Sequence, residues 1–356
     1  MKILIDFGHP AHVHYFRNTI KILQSKGHEF RCVARDKEVL QQLLNHYQIS
    51  YKTRGKGAKS LMGKIFYMFY AEWIILKEAL KFKPDIFLSF SSTYAAHVSK
   101  IVKRPHIVLD DTEHAKFELM TYPPFSDVLL HPSCFWKKFS DKQLFFNCYM
   151  ELFYLLPKYF SPDPGILETY GINFKERYFV LRFVSWNASH DIGQKGLSME
   201  GKIQLVKKLE GYGKVFISSE SLLPEELKSN QIKIRPEHLH HFLAFASLYI
   251  GEGATTASEC AALGTPAIYV NTLTAGTLEE QEKYGLIHIY KDFEGVMEKA
   301  VEILETPGFK EIHRERSKVM RSEKIDGTSF LVWFVENYPD SEKTFRANSD
   351  YQYNFR

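Results

Sequence analysis

The sequence predicts an α/β protein with two doubly wound parallel-sheet domains that face each other across a cleft. Its 356 residues exceed the ~100–200 residues that one domain usually holds. Short apolar strands alternate with helices, which is the pattern of a parallel sheet covered on both faces. The alternation pauses around Pro157, Pro162 and Pro164 and then restarts. Because ligands of such sheets bind outside the carboxyl ends of the strands, we expect functional residues in the loops after them.

The first domain is predicted over residues 1–164. Ile3–Phe7 has the composition of a buried strand, and the helix predicted over 12–26 ends at Gly27, a residue type common in the left-handed position after a helix. The same strand-then-helix unit recurs through this half. Its further strands are predicted at Phe30–Ala34, Ile49–Lys52, Ile86–Phe90, Ile107–Leu109 and Val128–Leu130.

The second domain is predicted over residues 165–325, with the same alternation. An apolar helix within 326–338 is expected to cross back to the first domain, and the polar tail 339–356 is expected to be frayed. The strands of this half are predicted at Tyr178–Val184, Lys214–Ser218, Gln231–Ile234, Leu248–Ile250 and Ala267–Val270.

Composition and charge narrow the function classes. With 45% hydrophobic and 25% charged residues the chain can bury a core, which excludes a disordered protein. Residues 1–165 carry 23 Lys and Arg against 15 Asp and Glu, whereas residues 166–356 carry 23 against 27. The basic first half favours an anionic ligand or a membrane surface. Nucleic acid is not expected as a partner, since acids are interspersed among the basic residues and no reader motif is present.

Cysteine usage and apolar runs predict a cytoplasmic protein. The four cysteines show neither paired zinc-ligand spacing nor the density of a secreted scaffold. The apolar stretch at Met1–Phe7 is too short for a signal-peptide core, and no later run approaches the ~18 apolar residues of a membrane span.

The most informative motif is GEGATTASECAALGTP, which begins at Gly251 where a predicted strand gives way to a helix. Such a helix start presents backbone N–H groups and a positive dipole end to a phosphate. Gly251 and Gly253 let a ligand approach the chain closely. Thr255 and Thr256 can donate from their hydroxyls, and Glu259 can accept hydrogen bonds from a ribose diol. An ordinary strand-to-helix turn with a capping Thr accounts for the motif equally well.

The order of segments around this motif resembles the donor domain of glycosyltransferases with the GT-B fold, which has two facing Rossmann-like domains. A segment with Arg235–His238 precedes the motif, and Glu280-Gln281 follows it. The closest pattern is that of the N-acetylglucosaminyltransferase of peptidoglycan synthesis. The resemblance implies that the loop from Arg235 to His238 holds the nucleotide base through its backbone and that Glu259 binds the ribose. It also implies that Gly253–Thr256 holds the diphosphate and that Gln281 contacts the donor sugar.

Three histidines, His9, His12 and His14, follow the first predicted strand. His12 and His14 are two residues apart at a helix start and do not share a face, so metal binding is the weaker interpretation. A loop histidine can instead be the general base for a sugar hydroxyl, because its reference pKa is ~6.5. A helix-capping or solvent-facing role accounts for any one of them as well. In GT-B transferases the histidine that matches His12 is the candidate base or acceptor contact, and His9 is the second choice.

Acidic residues after the fifth predicted strand offer another base. Asp111, Glu113 and His114 point at the same cleft, so one of the carboxylates is an alternative to His12. A solvated acidic loop accounts for each of them equally. Asp110-Asp111 is not the spaced Asp-x-Asp pair that holds a divalent metal in other transferases. We therefore expect no metal, and no cofactor besides the nucleotide-sugar substrate.

Two further groups in the second domain can contact a diphosphate. Arg182 ends a predicted strand, where a guanidinium could fork onto a diphosphate and improve the leaving group, although an interdomain salt bridge is an equal alternative. His190-Asp191 in the following loop can reach across the cleft, with the Asp holding the imidazole tautomer, although adjacent residues rarely pair in this way.

Motifs spread over residues 1–338 look like those of a prokaryotic family catalogued as domain of unknown function 354. Membership implies the GT-B fold and sugar-nucleotide chemistry, with Ser219 among the nucleotide-sugar-binding residues, and leaves the reaction open. The motifs are GHPAHVH from Gly8, KPD from Lys83, DDTEHA from Asp110, RFVSWNASHD from Arg182, SSE from Ser218 and KIDGTS from Lys324.

We expect a transferase that moves a sugar from a nucleoside diphosphate, UDP in particular, to a carbohydrate or lipid-linked acceptor in surface polysaccharide or glycoconjugate assembly. The first alternative is a UDP-N-acetylglucosamine 2-epimerase, which shares the fold and a similar donor loop. That enzyme carries acidic groups after its first, fourth and fifth strands, and only the group after the fifth strand is matched here, by Glu113. Epimerisation needs a full set of acids and bases. The second alternative is a non-catalytic protein that binds sugar nucleotides.

Residues 56–83 suggest peripheral contact with the inner membrane face. Lysines at both ends enclose an aromatic middle, as in a helix that lies on an anionic membrane, where lipid-linked acceptors are found. A second aromatic cluster lies within 135–160. Packing in a core or an interdomain face is the alternative for both.

Overall fold

The computed structural model divides the chain into two compact units, unit 1 (Met1–Tyr154 with Lys324–Arg356) and unit 2 (Leu155–Glu323). In each unit every described strand pair is parallel, and helices connect most of the successive strands. This confirms the predicted fold class of two parallel-sheet α/β domains. The structure describes residues 1–58, 60–183, 198–219 and 222–356.

Seven strands form the sheet of unit 1. They are β1 (Lys2–Phe7), β2 (Glu29–Ala34), β3 (Tyr51–Thr53), β4 (Ile86–Phe90), β5 (His106–Leu109), β6 (Val128–Pro132) and β7 (Gln143–Phe146). Their order across the sheet is β3-β2-β1-β4-β5-β6-β7. Residues 3–7 of β1 are buried on both faces, as expected of a strand with helices on either side. The carboxyl ends of β1, β4 and β5 are neighbours, so the loops after them share one region.

Within the described residues, six α-helices belong to this part of unit 1, and the first begins and ends where local chemistry predicts. The first carries Pro10 in its first turn, where a missing backbone N–H costs nothing, and Gly27 takes the left-handed conformation just beyond its end (φ 86°). The helices are α1 (Pro10–Ser25), α2 (Glu38–His46), α3 (Leu61–Phe82), α4 (Thr93–Ile101), α5 (Glu118–Thr121) and α6 (Leu152–Leu155).

Unit 2 contains a five-stranded sheet. Its strands are β8 (Tyr178–Phe183), β9 (Lys214–Ser219), β10 (Leu248–Gly251), β11 (Ala267–Val270) and β12 (Ile287–Tyr290), in the order β12-β11-β10-β8-β9. Its helices are α7 (Gly165–Glu168), α8 (Met199–Glu210), α9 (Leu239–Phe245), α10 (Ala254–Leu263), α11 (Gly276–Lys283), α12 (Val296–Glu305) and α13 (Phe309–Glu323). Apolar residues of β8 to β11 pack with those of α8 and α12 in one core.

The C-terminal segment completes unit 1 with α14 (Gly327–Glu336) and α15 (Asp340–Ala347). The first of these packs closely on the rest of the unit: a Cβ on Gly327 would lie 2.3 Å from the Phe153 ring. The expectation of a frayed tail is wrong. α15 is held because Phe345 is buried, with its ring centroid 5.1 Å from that of Phe330.

Three strand predictions differ from the structure. The strand expected at Gln231–Ile234 is absent from the described residues, where Gln231 makes only a single bridge to Ile217. β7 and β12 form where no strand was predicted. Both are four-residue strands at the edges of their sheets. Because an edge strand has a partner on one side only, its sequence pattern is weaker than that of a central strand.

Candidate functional site

Three predicted residues of unit 2 meet at the carboxyl end of its sheet. Gly251 ends β10 and pairs in register with Arg182 of β8. On the other side of β8, Ser219 of β9 pairs with Phe183. Arg182, Ser219 and Gly251 therefore lie on three adjacent strands, where ligands of parallel sheets bind. The predicted site residue His190 and its neighbour Asp191 lie outside the described residues.

The turn from β10 into α10 requires a glycine at position 251. A Cβ on Gly251 would lie 2.4 Å from the Tyr249 hydroxyl oxygen and 2.8 Å from the Arg182 carbonyl oxygen, closer than non-bonded atoms approach. A Cβ on Gly253 would lie 3.5 Å from Nε of Arg182, which is ordinary contact. The Arg182 side chain therefore lies alongside the turn. The Tyr249 hydroxyl supports the turn by donating to the Gly253 carbonyl (3.3 Å).

The first turn of α10 lacks a side-chain cap among the described residues, because its N-cap residue is Gly253. A helix start without such a cap offers its N–H groups and its positive dipole end to an anion. Thr255 is partly exposed, whereas Thr256 is buried. Of the two predicted hydroxyl donors, Thr255 is thus the accessible one.

The carboxylate within this turn is paired with a cation. Glu252 is buried, and its Oε1 lies 3.5 Å from Nζ of Lys202 on α8. The same Nζ lies 4.4 Å from the centroid of the Phe183 ring. Lys202 and Arg182 thus place two cations beside the one carboxylate of this turn, among the residues that the structure describes, and cations suit a diphosphate. The sequence did not suggest Lys202, which is distant along the chain.

Glu259 connects α10 to α9. It is buried, and its Oε1 lies 2.8 Å from Nε2 of His240. This contact joins the helix predicted to bind the ribose to the helix that follows the predicted base-binding loop. Sequence reasoning missed His240, and the ribose contact of Glu259 stays a prediction.

The predicted base-binding loop is held by Tyr170, a residue outside the motif. The Tyr170 hydroxyl accepts from the backbone N–H of Arg235 (3.1 Å) and lies 2.9 Å from Nδ1 of His238. The Arg235 guanidinium lies 2.5 Å from the buried carboxylate of Glu237. These contacts attach the loop to the rest of unit 2.

Gln281 has a structural contact, and its predicted contact with the donor sugar stays a prediction. It is fully buried, and its Nε2 donates to Oγ of Ser258 on α10 (2.9 Å). This bond fastens α11 to α10. The amide oxygen of Gln281 is buried without a hydrogen-bond partner among the described residues.

In unit 1, His12 accepts a hydrogen bond at Nδ1 from the backbone N–H of Gly8 (3.3 Å). A neutral imidazole whose Nδ1 accepts carries its proton on Nε2. Burial, followed by the charges of His9 and Arg54, holds the pKa of His12 well below its usual 6.5. His12 is therefore a neutral hydrogen-bond donor near pH 7 and a weaker base than the sequence predicted.

A buried ion pair lies next to His12. Nε of Arg54 donates to Oδ1 of Asp6 (2.7 Å), and Arg54 also donates to the Tyr67 hydroxyl. A Cβ on Gly8 would lie 3.5 Å from the Arg54 guanidinium and 3.6 Å from the His12 ring, so the two side chains flank the same residue. This pair lies outside the predicted motifs. The signal was Asp6 itself, a charge inside the apolar strand ILIDF that requires a partner.

The other two histidines of the motif have structural contacts. Nδ1 of His9 accepts from the backbone N–H of Ala11 (3.3 Å) and so caps α1. His14 is buried, with its ring centroid 5.1 Å from that of Tyr154. Across the described residues, no group of three or more His, Cys, Asp or Glu is arranged to hold a metal ion.

Four carboxyl groups cluster near the carboxyl end of β5. Burial raises the pKa of Asp111 well above 3.8, and the charges of Glu151, Asp110 and Glu113 raise it further. Asp111 is partly exposed and accepts from Oγ1 of Thr112 (3.1 Å), whereas the other three are buried. Asp111 is thus the accessible member and a stronger base than an ordinary carboxylate. Glu151 joins the group from a distant segment without any sequence signal.

Asp110 has a structural role in this cluster. It is fully buried and accepts from the Tyr122 hydroxyl (2.5 Å) and from the backbone N–H of Thr112 (2.9 Å). These bonds fix the loop that presents Asp111.

Solved structures share this fold. The protein MnaA of S. aureus, solved with UDP, has a TM-score of 0.68 at 12% identity, over 96% of this chain and 97% of its own. The UDP-GlcNAc 2-epimerase of Neisseria meningitidis, bound to UDP-GlcNAc, has a TM-score of 0.65 at 14% identity, over 90% and 99%. A glycosyltransferase of Streptomyces sp. SF2575, complexed with thymidine diphosphate, has a TM-score of 0.60 at 13% identity, over 94% and 99%. At these identities the likeness shows the GT-B fold.

Sequence comparison adds a relative and a family. An uncharacterized protein of Methanocaldococcus jannaschii is 27% identical over 281 residues, which are 75% of this chain and 81% of that protein. The family described as Protein of unknown function (DUF354) matches residues 1–305. Because this match covers most of the sequence, the chain belongs to that family.

Proposed function

We propose that the chain is a GT-B glycosyltransferase that transfers a sugar from a UDP-linked donor to a carbohydrate or lipid-linked acceptor in surface polysaccharide or glycoconjugate biosynthesis. The observation that carries the proposal is the turn between β10 and α10. There, packing requires Gly251, the N-cap Gly253 provides no side-chain cap, and Arg182 lies alongside. The shared fold with proteins described as bound to UDP, UDP-GlcNAc or thymidine diphosphate supports the ligand class.

The proposed donor site acts on the leaving group. In transfer, an acceptor oxygen bonds to the anomeric carbon, the bond from that carbon to the diphosphate breaks, and UDP departs with the electron pair. The helix start and the Arg182 guanidinium stabilise the negative charge that develops on the diphosphate. Lys202 on α8 supports this role because its positive charge neutralises the Glu252 carboxylate, which lies in the turn between β10 and α10.

We assign removal of the acceptor proton to Asp111. A general base works best when its pKa lies near the working pH, and the pKa of Asp111 is raised by burial and by neighbouring carboxylates. The pKa of His12 is lowered, so its Nε2–H is better suited to donate a hydrogen bond to an oxygen of the sugar or acceptor. Glu113 is the second choice for the base because it is buried.

One observation favours a UDP-N-acetylglucosamine 2-epimerase as the second candidate. Epimerisation at carbon 2 requires one group to remove a proton and another to deliver one. Glu113 and Glu151 lie close enough to Asp111 to raise its pKa, and such clusters separate carboxyls into proton-bearing and proton-free members.

The nucleotide site is tested by calorimetry with UDP. We expect the wild-type protein to bind UDP and Arg182→Met to weaken binding about 10- to 100-fold, as loss of a charged hydrogen bond does. Arg177→Met is the matched control, because Arg177 immediately precedes the other end of the same strand. Failure of the wild type to bind UDP, or equal weakening in both variants, rejects the site.

The reaction is tested with UDP-N-acetylglucosamine alone, followed by NMR. Slow release of UDP supports a transferase that lacks its acceptor. An inverted carbon 2 that takes up deuterium from the solvent supports the epimerase, and binding without either change supports a non-catalytic protein. We expect Asp111→Asn to lower the observed rate about 10²- to 10⁴-fold. An unaffected rate in Asp111→Asn removes that residue from the mechanism.

A further inference from the structure

α3 presents an apolar face to solvent. Residues at three- and four-residue spacing align along one side of a helix, and six large apolar side chains with this spacing are 44% to 68% exposed. This aromatic face of α3 consists of Met62, Ile65, Phe66, Phe69, Tyr70 and Trp73. A contiguous patch of six exposed large apolar side chains on a folded protein marks an interaction surface.

The opposite side of α3 already supplies the packing that the helix needs. Ile74, Ile75 and Ala79 are buried in a core cluster with Leu4 of β1 and Val33 of β2. Core packing therefore accounts for one side of α3 and leaves the aromatic face to another role.

The carboxylates and the lysines of α3 differ in their surroundings. Its two carboxylates have partners within unit 1: Glu72 lies 2.6 Å from His97, and the buried Glu78 lies 3.4 Å from Arg31. Its lysines are exposed, and Nζ of Lys77 lies 5.3 Å from the centroid of the Trp73 ring. The aromatic face is therefore flanked by the exposed positive charges of Lys77 and Lys81, while the carboxylate of Glu72 is paired with His97. A second copy of the chain would bring like charges together on this face, which disfavours self-association.

We propose that the aromatic face of α3 binds the surface of an anionic phospholipid bilayer. Aromatic and aliphatic side chains would enter the boundary between headgroups and acyl chains, while Lys77 and Lys81, which flank the aromatic face, contact lipid phosphates. The helix lies on the membrane and does not cross it: within the described residues, no helix is long and apolar enough to span one. Membrane binding is independent of the proposed transferase activity, although it would bring unit 1 to a lipid-linked acceptor.

The proposal is tested by sedimentation with phosphatidylcholine vesicles, with and without phosphatidylglycerol. We expect binding to the anionic vesicles at low salt and its loss at high salt. Phe66→Asp/Phe69→Asp removes apolar contact, and Lys77→Glu/Lys81→Glu reverses charge. Each double variant should bind at least about tenfold more weakly.

Matched double variants in unit 2 provide the controls. Ile312→Asp/Val319→Asp changes exposed apolar residues of α13, and Lys207→Glu/Lys208→Glu changes exposed lysines of α8. Both should bind vesicles like the wild type. Since all the altered side chains are exposed, thermal melts should be unchanged, and UDP calorimetry on the same samples separates a failed membrane proposal from a failed nucleotide proposal.

Three results would overturn membrane binding. They are absence of sedimentation with anionic vesicles at low salt, equal loss of binding in the unit 2 controls, and a wild-type dimer that Phe66→Asp/Phe69→Asp converts to monomers. The last result would identify the aromatic face of α3 as a contact between copies of the chain. A blue shift of tryptophan fluorescence on vesicle addition, absent from Trp73→Phe, would support the proposal independently.

Discussion

The carboxyl ends of the two sheets carry different kinds of residues. In unit 1 this region holds buried charges, with Arg54 paired to Asp6 and the carboxylates around Asp111 close together. In unit 2 the same region holds small residues, Gly251 and Gly253, with a partly exposed arginine beside them. The first arrangement fixes titratable side chains in place, whereas the second exposes backbone to a ligand.

Arg54 of unit 1 and Arg182 of unit 2 illustrate this difference between the two sheets. Arg54 is 2% exposed and donates to Asp6 and Tyr67, so its charge has been removed from water and depends on its partners. Arg182 is partly exposed and remains in reach of a soluble ligand. In unit 1 an arginine therefore serves the fold, and in unit 2 we expect one to serve binding.

The largest expected effect is on the stability of unit 1. Arg54→Met leaves the Asp6 carboxylate buried without its cation, and we expect a loss of about 3–5 kcal/mol in the free energy of unfolding. Arg182→Met should cost less than about 1 kcal/mol, because partly solvated charges contribute little. Urea unfolding monitored by circular dichroism measures both. Equal losses in the free energy of unfolding would mean that Arg182, like Arg54, mainly stabilises the fold.

The next effect concerns the glycine turn of unit 2. Gly251→Ala forces a methyl group against Tyr249 and the Arg182 backbone, so we expect a loss of about 1–3 kcal/mol and no UDP binding. Gly253→Ala has space for a methyl group and should cost less than about 1 kcal/mol. Thermal melts with and without UDP provide the measurement. A Gly251→Ala protein that melts and binds like the wild type would show that the turn is looser than its geometry implies.

A third effect is a pH dependence set by His106 in unit 1. His106 is fully buried between Ser89 and Ser126, and burial lowers its pKa to about 3. Between pH 6.5 and 3 the His106 imidazole binds a proton in the unfolded chain but not in the folded chain. The free energy of unfolding therefore falls as the pH falls. At pH 5 this amounts to about 2 kcal/mol. The His106→Asn variant should be less stable than the wild type at pH 7, but its free energy of unfolding should fall less between pH 7 and pH 5. If the variant loses as much stability as the wild type over this pH range, His106 does not set the pH dependence.

The smallest expected effect is at His12. Gln offers an N–H close to the position of Nε2, so His12→Gln should retain activity within about tenfold if the histidine donates a hydrogen bond. A histidine that served as the base would lose about 10²- to 10⁴-fold on the same change. Initial rates between pH 5.5 and 8.5 separate the two roles.

The sequence predicts the two-domain architecture because apolar strands and helices alternate over the whole length. It also predicts the turn after β10, since Gly251 to Glu259 form one continuous motif. The site of unit 1 is different: Asp6 meets Arg54, and Asp111 meets Glu151, only after the chain has folded. Such pairs leave no local pattern, and the burial of Gln281 likewise depends on how α11 packs against α10.

The division of the chain has a consequence for its synthesis. Unit 2 is one continuous stretch, Leu155–Glu323, whereas unit 1 needs the last stretch, Lys324–Arg356, to be complete. On the ribosome, where domains form as their residues emerge, the second unit can finish folding before the first. Because α14 packs on α1, part of α1 stays open to solvent until α14 has been made, and that interval is when we expect chaperones to matter most to this protein.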